Sequence, residues 1–306
     1  MSNHPFRRSA GHTHARRLTR ELRKGVLVFW ILPSFLGASA YAADLKPETA
    51  AAFGRYVAAT EAQMDNDVGL GQFLIVDRLP DLQRQQAYDQ LRGGQVYIEE
   101  LHTQEDHHPI PIANGLIHHW GGVIFIPKAS VSDIVAVLQD YENQPSIYKP
   151  DVRQAKLIHR NGQKSMIFEQ FYSKSLITVV LNVSFDVMET QMGSGRVQSV
   201  SRSTHIAEVV NPGEPDEHER SDGKDHGYLW RLNSYWRMEE KDGGVYVQNE
   251  SLSLTRTVPA MLAWLINPLT KSIPRDVLFR MLTDTQKAVL TPGPASKQEV
   301  LPRDGH

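Results

Sequence analysis

The strongest pattern in the chain is a pair of alternating runs, Gly227 to Glu239 and Val245 to Thr257, separated by Lys241-Asp-Gly-Gly. Glycine accepts the positive φ that tight hairpin turns require, so the spacing predicts a β-hairpin. In the first run Tyr228, Trp230, Leu232, Ser234, Trp236 and Met238 share one face, and Leu229, Arg231, Asn233, Tyr235, Arg237 and Glu239 share the other. In the second run Val245, Val247, Asn249, Ser251 and Ser253 oppose Tyr246, Gln248, Glu250, Leu252, Leu254 and Arg256. Neither face is purely apolar. A sheet covering a dry core alternates more cleanly, so mixed polar and aromatic faces predict a sheet bent around a cavity.

Upstream, Leu116 to Pro127 reads as a strand holding the pair Gly121-Gly122, which predicts a bulge or sharp bend. Ser130 to Tyr141 is an amphipathic helix with Ser130 or Ser132 as its cap, followed by a short helix or turn near Pro145. Strand patterns then succeed one another over 152–159, 165–172, 176–188 and 197–210, with Asn161-Gly162 as a turn. The acidic, Pro/Gly-rich connection 211–226 is expected to be an exposed, mobile loop. Residues 258–290 carry apolar positions at helical spacing, and Pro268 and Pro274 are expected to break or kink that helix.

The N-terminal third follows another plan. Residues 47–65 predict a helix opened by Pro47, Phe73 to Val76 a short strand, Asp81 to Arg92 a helix stopped by Gly93-Gly94, and Gln95 to Leu101 a strand. Before them lies an export-signal pattern. Arg7, Arg8, Arg16, Arg17, Arg20, Arg23 and Lys24 precede the apolar run from Gly25 to Gly37, and Ala40-Tyr41-Ala42 fits small-x-small cleavage. The apolar run is shorter than a spanning helix needs and contains Pro33, which favours a cleaved leader over an uncleaved anchor. Periplasmic or secreted localisation is therefore expected.

Four parts follow: a signal peptide at 1–43, an N-terminal extension at 44–113 packed on the main domain, the main domain at 114–290, and a Pro-rich disordered tail at 291–306. Composition adds exclusions. The chain has 306 residues, a formal net charge of -2 and no cysteine, so disulfides, thiolate nucleophiles and Cys-type zinc sites are ruled out. The charge balance supplies no whole-chain field for nucleic acid. There is no Gly-x-Ser-x-Gly elbow, no dinucleotide fingerprint and no phosphate-binding loop, so no cofactor is expected.

The order of strand, helix, short helix, six strands and long helix over 114–290 resembles the START-like, or helix-grip, superfamily of lipid-transfer domains and polyketide cyclases. Local features shared with it are Phe125-Ile-Pro127 before the first helix, the Asp140-Tyr141 and Tyr148-Lys-Pro150 segments, and the aromatic hairpin before the last helix. The resemblance implies an α+β fold, a curved antiparallel sheet of about seven strands wrapped around a long kinked C-terminal helix, with an N-terminal α/β extension. It also implies a cavity that takes a hydrophobic ligand, and it transfers no catalytic residue.

Three constellations are candidates for chemistry. His102, His107, His108, His118 and His119 cluster near Glu99, Glu100, Glu105 and Asp106, but adjacent His118 and His119 on a strand point to opposite faces, which argues against a metal site. Asn182, Arg231, Asn233, Arg237, Gln248 and Glu250 form either a polar group inside the cavity, with Glu250 as partner to an arginine, or a solvated outer face. Trp230, Trp236, Tyr235 and Trp264, with Trp120, Tyr172 and Tyr228, line either a pocket or an ordinary core. The expected ligand-binding set is Asn182, Trp230, Arg231, Asn233, Tyr235, Trp236, Gln248, Glu250 and Trp264. The expected function is an exported binder of a lipid-like molecule, held between sheet and last helix, with membrane-surface contact. The alternatives are a cyclase- or aromatase-type enzyme using polar cavity residues and an interaction module for a cell-envelope protein.

Overall fold

The computed structural model describes residues 44–174, 178–221, 223–257 and 260–291, with the backbone alone for 260–271. The expected leader and tail lie outside these residues. Helix α1 (Pro47–Gly69) starts with proline at its first position and carries Glu48 in its first turn, both favourable at a helix N-terminus. Its buried residues Thr49, Ala52, Phe53, Tyr56, Thr60, Met64 and Asp67 recur at helical spacing. A 3-10 turn (Ile75–Arg78) and α2 (Asp81–Arg92) follow. The run Phe73 to Val76 is therefore not a strand. Its four side chains are buried against the sheet from a turn, and a short apolar run cannot distinguish these outcomes.

The sheet strands are β1 (Tyr97–Glu100), β4 (Gly115–Pro127), β5 (Val152–Asn161), β6 (Lys164–Lys174), β7 (Thr178–Gln191), β8 (Arg196–Val210), β9 (His218–Glu219), β10 (Arg231–Lys241) and β11 (Gly244–Arg256). The short pair β2 (Gln104–Glu105) and β3 (His108–Pro109) stands apart. The main order is β1-β4-β11-β10-β8-β7-β6-β5, antiparallel throughout, with β9 on β8. This contains the seven expected strands plus β1, which the N-terminal segment adds to one edge, and β9 from the 211–226 connection. The hairpin turn between β10 and β11 places Asp242 at φ 56° and Gly243 at φ 74°, the pair of positive values a two-residue hairpin loop demands.

Helices α3 (Val131–Gln139), α4 (Gln144–Ile147) and α5 (Ala260–Leu290) complete the fold. Ser130 caps α3 through a reciprocal box, its backbone N–H donating to Asp133 Oδ2 at 2.8 Å. Helix α5 runs without a break through Pro268 and Pro274, and no second helix starts at Pro274. The expected break is absent, and anchors hold the later turns to the rest of the fold. Tyr148 Oη and Thr285 Oγ1 are 3.0 Å apart, Arg280 pairs with Asp151 through two bonds of 2.7 and 2.8 Å, and Gln286 Nε2 donates to the Phe125 carbonyl at 2.8 Å.

The Gly121-Gly122 pair is not a bulge. The register of β4 with β11 is unbroken from Gly115 to Pro127. What the glycines allow is close approach on both sides of the sheet. A Cβ on Gly122 would lie 2.6 Å from Leu282 Cδ1 of α5, and one on Gly121 would lie 2.8 Å from Ile75 Cδ1. One strand is thus sandwiched between the closing helix and the N-terminal segment.

Candidate functional site

The sheet has two covered faces, and the register assigns each residue to one of them. The face toward α5 carries Ile124, Ile126, Trp236, Met238, Val245 and Val247, packed with Leu278 and Leu282. Further along, Ile167, Leu181, Val183 and Phe185 meet Tyr141, Tyr148 and Val152, with Met281 against them. Between these apolar patches the face is lined by small polar groups. Paired rows run through Ser165, Val187, Ser201, Ser234, Ser251 and Trp120, and through Ser199, Trp236, Asn249 and Gly122. Ser199, Ser201, Ser203, Ser234 and Ser251 all keep partial exposure in mid-sheet. These short side chains stand beside partly exposed Phe171, Ile206, Leu232 and Met281, so the described residues do not close this part of the α5-side face into a tight core.

Glu169 stands on this loosely covered part of the face. In β6 it lies between Ile167 and Phe171 on one face, paired across to Ala155 and Val183. It is surrounded by protein yet partly exposed. No hydrogen-bond or ion-pair partner holds it among the described residues. Burial disfavours the carboxylate and pushes its pKa up to about 7. Its charge helps hold the Tyr148 and Tyr141 phenols above their ordinary value, after the larger effect of their own burial. Glu208, on the same face farther along, is by contrast satisfied: His226 approaches it with backbone N–H at 2.7 Å and with Nδ1 at 2.6 Å. Asn249 donates to Ser234 Oγ at 2.7 Å, and its buried Oδ1 has no hydrogen-bond partner among the described residues.

The opposite face carries most of the residues expected to bind ligand, and the N-terminal segment covers it. Gln248, fully buried, accepts the Ile75 N–H at 2.6 Å. Arg237, 1% exposed, donates through Nη1 to the Phe73 carbonyl at 3.0 Å. Its Nε and Nη2 have no hydrogen-bond partner among the described residues. Burial lowers its pKa, and the charge of Glu250 opposes that shift. Glu250 Oε1 lies 2.7 Å from His119 Nε2, and His119 Nδ1 lies 3.1 Å from the Tyr56 hydroxyl. The Thr103 N–H donates to that hydroxyl at 2.8 Å, which leaves the Tyr56 hydrogen for Nδ1 and puts the His119 proton on Nε2, facing Glu250. Tyr235 donates to Glu61 at 2.9 Å and accepts from Asn233 at 3.3 Å. Trp230 packs with Phe53 and Tyr56.

Asn182 lies on this same face beyond the N-terminal helices, between Gln170 and Glu219, and Arg231 is exposed with its guanidinium on the Trp230 carbonyl. Seven expected residues, Asn182, Trp230, Arg231, Asn233, Tyr235, Gln248 and Glu250, are therefore not between sheet and α5. The physical reason for Gln248, Glu250 and Tyr235 is a cover that strand alternation does not reveal, since they bond to the N-terminal segment directly or through His119 and Tyr56, while Asn182 and Arg231 lie on the same face outside that cover. Of the expected set only Trp236 faces α5, and the side chain of Trp264 lies outside the described residues. His118 and His119 do point to opposite faces, His118 Nε2 lying 3.1 Å from Thr255 Oγ1. Glu169 was missed; its signal is a lone carboxyl between Ile167 and Phe171 on one face of a strand, visible only once that face is assigned.

No protein-family model matches the sequence, and no curated protein matches it. Solved structures do. A STAR-related lipid transfer protein from Xanthomonas axonopodis is 16% identical, covers 59% of this chain and 96% of its own, and superposes with a TM-score of 0.41. Human StAR-related lipid transfer protein 5 is 11% identical over 68% of this chain and 92% of its own, with a TM-score of 0.42. The Zhui aromatase/cyclase from a Streptomyces species is 9% identical over 57% and 94%, with a TM-score of 0.40. The order of strand, two helices, antiparallel strands and long C-terminal helix seen here is the one expected from the sequence. Two features of this chain stand out on the sheet: the N-terminal cover on the outer face and Glu169, without a hydrogen-bond or ion-pair partner among the described residues, on the inner one.

Proposed function

We propose that this chain is an exported binding protein that holds a hydrophobic or amphipathic small molecule between the sheet and α5. The observation that carries the reading is the α5-facing wall. Apolar side chains surround a serine-lined middle and one uncompensated carboxyl, the composition of a ligand site that is mostly apolar with a few polar groups. Removal of apolar ligand surface from water would drive binding, at roughly 25 cal/mol per Å2 before association costs. Glu169 would meet the ligand's polar end. Export rests on the Arg-rich leader, its apolar run and the Ala40-Tyr41-Ala42 site. The test is to incubate the purified protein with a total lipid extract, repurify it and identify what is retained by mass spectrometry. A stoichiometric hydrophobic compound supports the reading; an empty protein across extracts of different origin refutes it.

Glu169 also favours a second reading, a cyclase- or aromatase-type enzyme. A carboxyl with its pKa near 7 on the α5-side face suits general acid-base work. The polar residues first expected to serve such chemistry, Arg231, Asn233 and Glu250, lie away from that face. If Glu169→Gln abolished turnover of a retained compound while leaving its binding intact, the enzyme reading would replace the carrier reading.

A further inference from the structure

The β5–β6 hairpin lies at the far edge of the sheet from the N-terminal segment, and its tip is exposed. From Lys156 through Lys164 every residue is exposed. Three of its large side chains are apolar: Leu157 is 43% exposed, Ile158 56% and Met166 43%. Lys156, Arg160 and Lys164 accompany them, and no Asp or Glu occurs between Val152 and Phe168, although the chain as a whole carries a net charge of -2. None of these three cations has a carboxylate partner among the described residues, and Arg160 Nε donates instead to Ser165 Oγ at 3.1 Å. The nearest acids by register are Glu169 on β6, opposite Ala155 and facing the α5 side, and on β7 Asp186 opposite Met166 and Glu189, which accepts from Gln139 Nε2 at 2.8 Å. Arg153 belongs to another surface, stacked 4.0 Å over the Tyr172 ring, where its charge also acts on Glu217.

We propose that this hairpin is a docking element for an anionic lipid bilayer. Cations beside exposed aliphatic groups are the combination that binds such a surface, the charges drawing the hairpin to the headgroups and the apolar side chains entering the interface. Protection of a free sheet edge accounts for the cations and for the register shifts at Val152/Gln154 and Leu157/His159. It does not account for Leu157, Ile158 and Met166, since polar residues would guard the edge better. The same shifts disfavour edge pairing with a second copy. The segment 152–166 contains no Phe, Tyr or Trp, so it lacks the stacking platform of a single-stranded nucleic-acid site. The inference is independent of what the α5-side face holds.

The absence of cysteine allows a local test in the full chain. Ile158→Cys is labelled with a polarity-sensitive fluorophore, and Leu82→Cys, 69% exposed on α2, serves as the control. Mixed phosphatidylcholine and phosphatidylglycerol vesicles are expected to blue-shift the emission at position 158 and not at 82, and pure phosphatidylcholine vesicles at neither. Combining Lys156→Gln, Arg160→Gln and Lys164→Gln is expected to weaken the vesicle response roughly fivefold per cation, about a hundredfold in total. Raised salt is expected to weaken it likewise. Circular dichroism confirms that these surface variants fold. An unchanged emission at 158, an equal shift at 82, or an equal response to heparin without vesicles overturns the proposal.

Discussion

Replacement of Glu169 by glutamine is expected to stabilise the protein at alkaline pH and leave it nearly unchanged at acidic pH. The folded-state pKa is raised from 4.5 to about 7 by burial. Below pH 4.5 both folded and unfolded chains hold this proton. Between 4.5 and about 7 the folded chain keeps it while the unfolded chain loses it, so stability falls as pH rises through this window. Above about 7 the carboxylate is charged in both states, and the folded state carries the cost of an uncompensated charge. A difference of about 2.5 in pKa at 1.36 kcal/mol each gives about 3 kcal/mol as an upper figure, since Glu169 keeps partial exposure. Glutamine keeps the shape of the protonated acid without the charge. Urea unfolding of both proteins at pH 5 and pH 8, fitted with a common slope, checks this. The expected gain is about 2–3 kcal/mol at pH 8 and about 0.8 kcal/mol at pH 5. Equal shifts at both values, or none, would show that burial does not raise the Glu169 pKa.

Gly122→Ala places a methyl group against Leu282 and is expected to cost about 1–3 kcal/mol in chemical unfolding, with partial recovery in the Gly122→Ala/Leu282→Ala double variant; additive losses would contradict close approach as the reason for glycine. Glu250→Ala leaves His119 and Arg237 without their carboxylate and is expected to cost about 3–5 kcal/mol, with faster amide exchange in α1; a cost under about 1 kcal/mol would show that the outer-face network does not hold the N-terminal segment.

The strands were legible because alternation over ten or more residues admits few other readings, and the Asp242-Gly243 turn fixed one register unambiguously. What alternation could not show was which face meets which partner. Gln248 and Glu250 look equally suited to a cavity and to an interface, and only the docking of Ile75 and His119 decides between them. Gly121-Gly122 failed as a bulge signal because glycine serves bulges and close packing alike. Pro268 and Pro274 failed as breakers, since one helix runs from Ala260 to Leu290, and sequence spacing alone does not tell an interrupted helix from a continuous one. Glu169 was hidden by its ordinariness, one carboxyl in a strand whose polar residues fall on both faces.

The proposed ligand site itself can be tested by filling it. Ser201 lies in mid-sheet, paired with Val187 and Ser234 on the α5 side. Ser201→Phe should leave the fold intact while lowering affinity for a fluorescent fatty-acid probe by about tenfold or more, equivalent to at least about 1.4 kcal/mol of lost contact. Undiminished binding by this variant, or no probe binding by the unaltered protein, would contradict a ligand site between the sheet and α5.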